Sequence, residues 1–370
     1  MAETVFILGA GASKEAGAPV MSEFVRTIED LDESQIPEDL RPVRESLLQA
    51  ARSMGDMVSR IAFTPTNIED LLGVVEMAEM TGGLNCRPGL NIDSLRGGLR
   101  RLIAHTLESS INFPVSGSGE MERHIEAPDS YAALASLVSK SAPRHKPAII
   151  TLNYDCALDY ALEDRGLGVN YGLSNSGDGA RLLKLHGSTN WTRCPQCKEV
   201  VTVSVRSIFP GTIRNPWLSD SDNREPVKLA VSHQMASKKC PKCQAPLTED
   251  PFICAPTWNK MAAKDWILAA TWRGAAAELA EAANIFVMGY SMPKTDQVFQ
   301  ALLANGLSGQ DHPLIRRFWV FDPEEQMKNR YHEILGPFIE RVFHFETMRF
   351  SEALRFVTHE VWDKEGWLKQ

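Results

Sequence analysis

The chain has 370 residues, of which 44% are hydrophobic and 23% are charged, and its formal net charge is -8. This length predicts one large α/β core with insertions, or two domains, and the composition excludes a disordered protein. The negative charge argues against direct nucleic-acid binding, because affinity for phosphate backbones comes mainly from clustered lysine and arginine.

Hydrophobic runs that end in turn residues predict six buried strands with helices between them. The strands are expected at 4–9, 148–151, 182–185, 285–288, 318–321 and 342–345. Helices are expected from near Ser13 and at 68–80, 94–112, 129–140, 156–163 and 265–282. Strands that alternate with helices imply right-handed crossovers. The predicted fold is α/β, a Rossmann-like parallel sheet with helices on both faces, plus a helical insertion and a zinc-ribbon module.

The same pattern divides the chain into four parts. The Rossmann-like core is expected at 1–30, 130–190 and 254–346, the helical insertion at 31–129, the zinc ribbon with a long loop at 191–253, and a C-terminal helical tail at 347–370. We expect Trp362 and Trp367 in this tail to pack on the core or on another subunit. The Ser-Gly-Ser-Gly run at 116–119 is the best candidate for a flexible loop.

A glycine-rich turn, Gly9-Ala10-Gly11-Ala12-Ser13, follows the first strand, and Gly17-Ala18-Pro19 comes shortly after it. Glycines at this place let the backbone approach a pyrophosphate, and a following helix offers its N–H groups. Lys14 stands where the usual dinucleotide fingerprint has its third glycine, and no second strand ends in an acid about 20 residues on. The turn therefore suits either a cofactor or an ordinary strand-to-helix connection.

Polar residues also follow the later strands. They are Asn153 and Asp155, then His186, then Ser291 beside Gly289, and finally Asp322. In open α/β sheets, ligands bind at the carboxyl ends of the strands. An amide suits ribose hydroxyls or a water, and an imidazole can act as a base near neutral pH. Each residue, viewed alone, also suits a structural role as a helix cap, a turn or a hydrogen-bonded histidine.

Four of the seven cysteines form two Cys-x-x-Cys pairs, Cys194 with Cys197 and Cys240 with Cys243. The start of the chain has no secretion signal, and no apolar run approaches the roughly 20 residues of a membrane helix. We therefore expect a cytoplasmic chain whose paired thiols bind metal. Two such pairs complete a tetrahedral zinc site with no open position, so the zinc is predicted to be structural. Residues 198–239, between the pairs, exceed the common spacing of about 15–20 residues and predict a long loop.

Taken in order, these segments resemble the sirtuin superfamily. Sirtuins carry Gly-Ala-Gly-x-Ser with a later Gly-x-Pro, then Thr-x-Asn-x-Asp, His-Gly, paired Cys-x-x-Cys and Gly-x-Ser. The matching positions here are Gly9 to Ser13, Gly17 to Pro19, Thr151, Asn153 and Asp155, His186-Gly187, the four cysteines, and Gly289 with Ser291. The resemblance is closest to a bacterial sirtuin-like branch whose members degrade NAD in anti-phage defence.

The chain also departs from the protein-deacylating sirtuins. Their cofactor loop follows Gly-x-Pro with an acidic residue, Phe and Arg, whereas this chain has Val20 to Phe24, with an arginine only at Arg26. Their acyl-lysine-binding segment is replaced by Phe252 to Pro256. Both differences weaken the interpretation as a deacylase.

The resemblance implies NAD as the substrate, a structural zinc, and roles for individual residues. Asn153 would hold the nicotinamide ribose or the attacking water, His186 would be the base, and Asp155 would orient the site. The residues implied to bind the rest of NAD are Gly9, Ala10, Gly11, Ser13, Gly17 and Pro19 on the pyrophosphate side, and Gly289, Ser291 and Asp322 for the adenosine half. Glu69 resembles an acidic position near the cleft.

The leading hypothesis is therefore an NAD glycohydrolase that forms nicotinamide and ADP-ribose and acts in anti-phage defence by NAD depletion. The alternatives are an NAD-dependent protein deacylase or ADP-ribosyltransferase, and a non-catalytic NAD or ADP-ribose sensor. A homo-oligomer with a HerA-type ATPase partner is also expected, because sirtuin-like proteins of this size often pair with one.

Overall fold

The computed structural model describes residues 2–58, 66–82, 92–119, 122–173, 178–214, 225–254, 266–293, 296–308 and 315–369. Its strands are β1 (Thr4–Leu8), β2 (Val115–Gly119), β3 (Glu122–Ile125), β4 (Ala148–Thr151), β5 (Val169–Asn170), β6 (Ala180–Lys184), β7 (Gly187–Arg193), β8 (Val200–Thr202), β9 (Thr212–Arg214), β10 (Pro251–Ile253), β11 (Asn284–Met288), β12 (Arg317–Phe321) and β13 (Phe343–Glu346).

Its α-helices are α1 (Ala10–Lys14), α2 (Phe24–Asp30), α3 (Arg41–Val58), α4 (Ile68–Thr81), α5 (Ile92–Ser110), α6 (Asp129–Lys140), α7 (Ala157–Asp164), α8 (Val205–Ile208), α9 (Val231–Met235), α10 (Trp266–Glu281), α11 (Gln297–Leu307), α12 (Met327–Ile334), α13 (Pro337–Glu340) and α14 (Phe350–Val357). None of the described helices combines the length and the apolarity needed to span a bilayer.

Seven strands form one parallel sheet in the order β13-β12-β11-β1-β4-β6-β5. The strands β11, β12 and β13 lie on one side of β1, and β4, β6 and β5 lie on the other, so the connections reverse at the centre of the sheet. Alternate residues of β1 enter two different cores: Phe6 and Leu8 pack with α6, α7 and α14, whereas Val5 and Ile7 pack with α10, α11 and α12. The predicted Rossmann-like sheet with helices on both faces is confirmed.

The six predicted strands correspond to β1, β4, β6, β11, β12 and β13, each within two residues at either end. Two local predictions are wrong. The first helix begins at Ala10 rather than near Ser13, because the chain turns directly after Gly9. The run at 116–119 lies in strand β2 and is not an irregular loop, since β3 supplies an antiparallel partner.

The insertion contains the predicted helices α4 and α5. The Asn67 side chain caps α4 by accepting a hydrogen bond of 2.8 Å from the backbone N–H of Glu69. Gly82 ends the same helix with φ at +79°, a left-handed conformation that favours glycine. The insertion is not purely helical, because strands β2 and β3 follow α5.

The insertion and the zinc ribbon are joined at several points. Strand β9 of the ribbon segment pairs with β3 of the insertion, so residues 198–239 are not one long irregular loop. Helix α5 also contacts the ribbon, where Arg100 bonds Asp250 at 2.6 Å and Arg101 bonds Glu249 at 2.8 Å. We call these contacts of α5 the α5–ribbon junction.

A third contact of this junction is buried. The Glu108 carboxylate of α5 accepts hydrogen bonds of 2.9 Å from both the backbone N–H and the hydroxyl of Ser232 in α9. Burial raises the pKa of Glu108 to about 8, and the two Ser232 donors act in the opposite direction. Burial therefore favours the protonated form of this carboxyl to a higher pH than for an ordinary glutamate.

The C-terminal tail packs on the core. Trp362 is fully buried, stacks on Phe6 of β1 at 5.8 Å between ring centroids, and donates a hydrogen bond of 2.8 Å to the Ser141 hydroxyl. Trp367 stacks on His145 at 4.6 Å. Of the two placements predicted for these tryptophans, packing on the core is the one observed.

Candidate functional site

A cavity of about 1060 Å³ opens at the carboxyl edge of the sheet. Most of the site residues predicted from the sequence line it, namely Ala10, Gly11, Ser13, Pro19, Asn153, Asp155, His186, Gly289, Ser291 and Asp322. Glu69, at the start of α4, lines it as well. Apart from Glu69, these residues come together because they follow the carboxyl ends of β1, β4, β6, β11 and β12, which meet at the same edge.

Gly9 and Gly17 do not line the cavity and act through the backbone. The Gly9 carbonyl oxygen accepts a hydrogen bond from Asn153, and a Cβ atom at Gly9 would lie 2.6 Å from the carbonyl oxygen of Gly289. Gly17 has φ at +104°, and a Cβ atom there would lie 2.5 Å from the backbone oxygen of Ser110. Both glycines therefore allow close packing around the turn, and their predicted contact with NAD stays a prediction.

The Asn153 side chain is held in one orientation. Its Nδ2 atom donates hydrogen bonds to the Gly9 carbonyl oxygen at 2.9 Å and to Ser13 Oγ at 2.8 Å. Because a backbone carbonyl can only accept, the atom that faces Gly9 must be the NH2 group. Both amide hydrogens are thus used within the protein. The carbonyl oxygen, Oδ1, is the atom left to accept a hydrogen bond from a molecule in the cavity.

Ser13 connects Asn153 to two further groups. Its hydroxyl donates to Asp155 Oδ2 at 2.6 Å and lies 2.7 Å from the Tyr131 hydroxyl. Asn153 and Tyr131 donate to the two lone pairs of Ser13 Oγ, and the hydrogen of Ser13 goes to Asp155. The side chain is only 2% exposed. Ser13 is therefore a positioning residue for Asn153, and its predicted contact with pyrophosphate stays a prediction that involves its backbone.

Asp155 is the carboxylate at the end of this hydrogen-bond network. Burial raises its pKa, while Lys184, the Ser13 hydroxyl and the Ala157 N–H act in the opposite direction. The second carboxylate oxygen accepts from the Ala157 N–H at 3.1 Å. The predicted orienting role of Asp155 stays a prediction, and the Ser13 hydroxyl is the group through which it would act.

His186 lies two residues after β6 and is only 4% exposed. The rings of Tyr154 and Trp272 approach its imidazole edge-on, at 6.1 Å and 6.2 Å between centroids. The backbone oxygen of His186 accepts from the Cys254 N–H at 2.8 Å, which joins the end of β6 to the residue that follows β10. His186 thus lines the cavity with two aromatic rings packed against its imidazole.

The sequence did not reveal a buried ion pair beneath the site. Lys184 Nζ, at the end of β6, lies 2.9 Å from Asp159 Oδ2 and donates to the Asp155 backbone oxygen at 2.6 Å. Burial acts to lower the pKa of Lys184, but the charges of Asp159, Cys156 and Asp155 together raise it. The pair thus holds the loop that carries Asn153 and Asp155.

Three cationic side chains that the sequence analysis did not select also line the cavity. They are Lys14 of α1, Arg330 of α12 and Arg349, which precedes α14. At the same edge, burial raises the pKa of Asp322, whose carboxylate accepts from the Glu324 N–H at 2.9 Å. No single motif marks these three cations, because each comes from a different element.

The four cysteines of the two pairs lie together, with their Sγ atoms all within 4.8 Å of one another. Cys194 Sγ is 3.5 Å from Cys243 Sγ, and Cys197 Sγ is 3.6 Å from Cys240 Sγ. A tetrahedral zinc with Zn–S bonds of about 2.3 Å requires sulfur atoms roughly 3.8 Å apart. The four thiols therefore fit a structural zinc ion, as predicted from their spacing.

The two cysteine pairs have the same backbone geometry. The N–H of Lys198 donates to the Cys194 oxygen at 3.0 Å, and the N–H of Gln244 donates to the Cys240 oxygen at 2.9 Å. Lys198 and Gln244 both have φ at +61°, which is unusual for residues other than glycine. This repeated turn aims both thiols of each pair at one point.

No protein-family model and no curated protein matches the chain. Among solved structures, one from a study of the mechanism and regulation of Sir2 enzymes is 13% identical, covers 98% of this chain and 93% of its own, and has a TM-score of 0.42. A Sir2 homologue mutant bound to 2′-O-acetyl ADP-ribose is 14% identical, with coverages of 98% and 92% and a TM-score of 0.40. A Sir2 structure with a p53 peptide and NAD+ is 14% identical, with coverages of 96% and 92% and a TM-score of 0.36. Superpositions this loose support no argument about function.

Proposed function

We propose that this chain is an NAD glycohydrolase of sirtuin-like type, which hydrolyses NAD+ to nicotinamide and ADP-ribose. The observation that carries the proposal is that Asn153 and His186 line one cavity together with the glycine turn and Asp322. The cavity volume of about 1060 Å³ lies at the upper end of ligand pockets, which span roughly 300–1,000 Å³. A cavity of this size is compatible with a ligand as large as a dinucleotide.

In the proposed reaction, the bond between C1′ of the ribose and the nicotinamide nitrogen breaks, and its electron pair leaves with nicotinamide. A water oxygen bonds to C1′, and the proton of that water passes to His186 and then to solvent. Asn153 Oδ1 accepts a hydrogen bond from this water or from a ribose hydroxyl. The rigid hold on the Asn153 amide favours the reaction because the acceptor is already oriented before the substrate arrives.

The deacylase, transferase and sensor alternatives share the same cavity and differ in the fate of the bound NAD+. From the sequence resemblance, we also propose that the activity serves anti-phage defence by NAD depletion in the cytoplasm. The same resemblance supports a homo-oligomer that works with a HerA-type ATPase. A fully active monomer in size-exclusion chromatography would contradict the need for such assembly.

The proposal is tested by incubating the purified protein with NAD+ and separating nicotinamide, ADP-ribose and acylated ADP-ribose by chromatography. The variants are Asn153→Ala and His186→Ala, and the matched controls are Asn305→Ala in α11 and the exposed His359→Ala. We expect the controls to match the wild type and each site variant to lose about 100-fold or more in nicotinamide release.

Equal release by all five proteins would remove the assigned site. Product that appears only with an acetylated peptide, as acylated ADP-ribose, would identify a deacylase. Saturable NAD+ binding without any release would identify a sensor.

A further inference from the structure

The cationic side chains of the cavity differ in how their charge is balanced. Lys14 Nζ pairs with Glu23 Oε1 at 2.6 Å. For Arg330 and Arg349, no ion pair with a carboxylate occurs within the described ranges of the chain. Both guanidinium groups bring positive charge to a cavity whose lining also contains carboxylates, among them Asp322, whose pKa the Arg330 charge acts to lower.

Arg330 is anchored next to the glycine turn. One of its terminal nitrogens donates a hydrogen bond of 3.1 Å to the backbone oxygen of Ser291. Ser291 lies two residues beyond Gly289, whose carbonyl oxygen accepts from the Gly11 N–H at 2.8 Å. A guanidinium carries five N–H donors, so this contact fixes the group and leaves further donors for a ligand.

Arg349 reaches the same region from the other side. It lies two residues before Ser351, whose backbone N–H and hydroxyl donate to the Glu15 carboxylate at 2.8 Å and 3.0 Å. Glu15 directly follows α1, the helix that begins in the glycine turn. The start of α14 is thereby held against the end of α1, and Arg349 lines the same cavity as Ala10 and Gly11 of the turn.

Arg26 provides a contrast within the same chain. It is the first arginine after the glycine turn, but its side chain is 81% exposed and lies 3.7 Å from Asp30. Arg26 is not among the residues that line the cavity. Arg26 is therefore close to the turn in sequence but does not line the cavity, whereas Arg330 and Arg349 are distant in sequence and do line it.

From these contacts we infer that Arg330 and Arg349 bind the diphosphate of the dinucleotide, opposite the glycine turn. A guanidinium matches phosphate oxygens with paired, charge-assisted hydrogen bonds. The inference rests on the proposed function, since it names the residues that hold the charged middle of the NAD+ substrate. It assigns a binding role to the C-terminal part of the chain, from α12 to α14.

The test is calorimetric titration of the zinc-loaded protein with ADP-ribose and, separately, with adenosine, which lacks the diphosphate. The variants are Arg330→Gln, Arg349→Gln and their combination, and Arg26→Gln is the matched control. Losing a hydrogen bond to a charged group corresponds to a loss of about tenfold or more in affinity. We expect each single variant to show that loss for ADP-ribose, the double variant to show a larger one, and Arg26→Gln to show none.

Adenosine binding should be unchanged in all variants. The inference is overturned if both single variants bind ADP-ribose within about twofold of the wild type, if adenosine binding falls in parallel, or if the wild type does not bind ADP-ribose. Circular dichroism of each variant confirms that it is folded.

Measuring nicotinamide release tests the hydrolase activity separately from the diphosphate site. A wild-type protein that binds ADP-ribose through the two arginines but releases no nicotinamide would uphold the diphosphate site and remove the hydrolase. Nicotinamide release that is unchanged by both arginine substitutions would uphold the hydrolase and remove the diphosphate site.

Discussion

The Ser13 hydroxyl gives the sharpest test of how the site is held. Replacing Ser13 with Ala removes a donor to Asp155 at 2.6 Å, an acceptor of Asn153 at 2.8 Å and a partner of Tyr131 at 2.7 Å. Asp155 keeps the Ala157 N–H, and Asn153 keeps the Gly9 oxygen, whereas the buried Tyr131 hydroxyl loses its Ser13 partner. A buried polar group left unsatisfied costs about 1–3 kcal/mol, so we expect a destabilisation of about 2–4 kcal/mol.

A double-mutant cycle separates this network from a simple loss of packing. Tyr131→Phe removes the hydroxyl that, in Ser13→Ala, loses its Ser13 partner and keeps Asn153 as a side-chain partner. The double variant should therefore be less destabilised than the sum of the single variants by about 1–2 kcal/mol. Urea unfolding of zinc-saturated protein measures the free energies, with the m-values checked for constancy.

The same variants predict a kinetic effect. If Ser13 orients Asn153, then kcat for nicotinamide release should fall in Ser13→Ala while KM changes little. Additivity of the two substitutions within about 0.5 kcal/mol, or an unchanged kcat, would refute the proposed network.

Three further predictions concern the surrounding structure. Because the pKa of Glu108 is raised from 4.5 to about 8 in the folded state, the unfolded chain loses this proton first, and stability should fall as the pH rises from about 5 to 8. Glu108→Gln should flatten this part of the stability curve measured by urea unfolding, and an unchanged slope would contradict the assignment. Chelation should remove one zinc per chain, and nicotinamide release should decline together with the near-UV circular dichroism signal. A decline of nicotinamide release in a protein that is still folded would argue for a catalytic metal. Gly289→Ala should destabilise the fold by more than about 2 kcal/mol in the same urea assay, since φ is +64° and a Cβ atom would lie 2.3 Å from the Ala12 nitrogen, and a smaller loss would argue against this close contact.

The sequence was informative where a strand ends in a polar residue. Asn153 and Asp322 each follow a short strand with one polar residue, His186 follows the Leu182-Leu183 pair of β6, and a parallel sheet necessarily brings such strand ends to one edge. The cysteine pairs were equally informative, because their spacing reflects the geometry of a tetrahedral ion. These features could be predicted because the relevant constraint is local in the chain.

The supporting residues could not be found in this way. Tyr131 and Ser13 are 118 positions apart, and neither lies in a motif that points to the other. Arg330 and Arg349 have surroundings typical of surface helices, and only the tertiary structure shows that both face the cavity. The strand at 115–119 was missed because its partner strand β3 supplies the pairing that its serines and glycines do not suggest.

Helix α5 has the zinc ribbon on one side, through the α5–ribbon junction, and Leu107 lines the cavity on the other. If the four cysteines hold zinc, we expect its loss to loosen this wall of the cavity even if the ion takes no part in the proposed reaction. A protein purified without zinc could then look inactive for purely mechanical reasons. The zinc content of every preparation therefore has to be measured before low activity is attributed to a substitution.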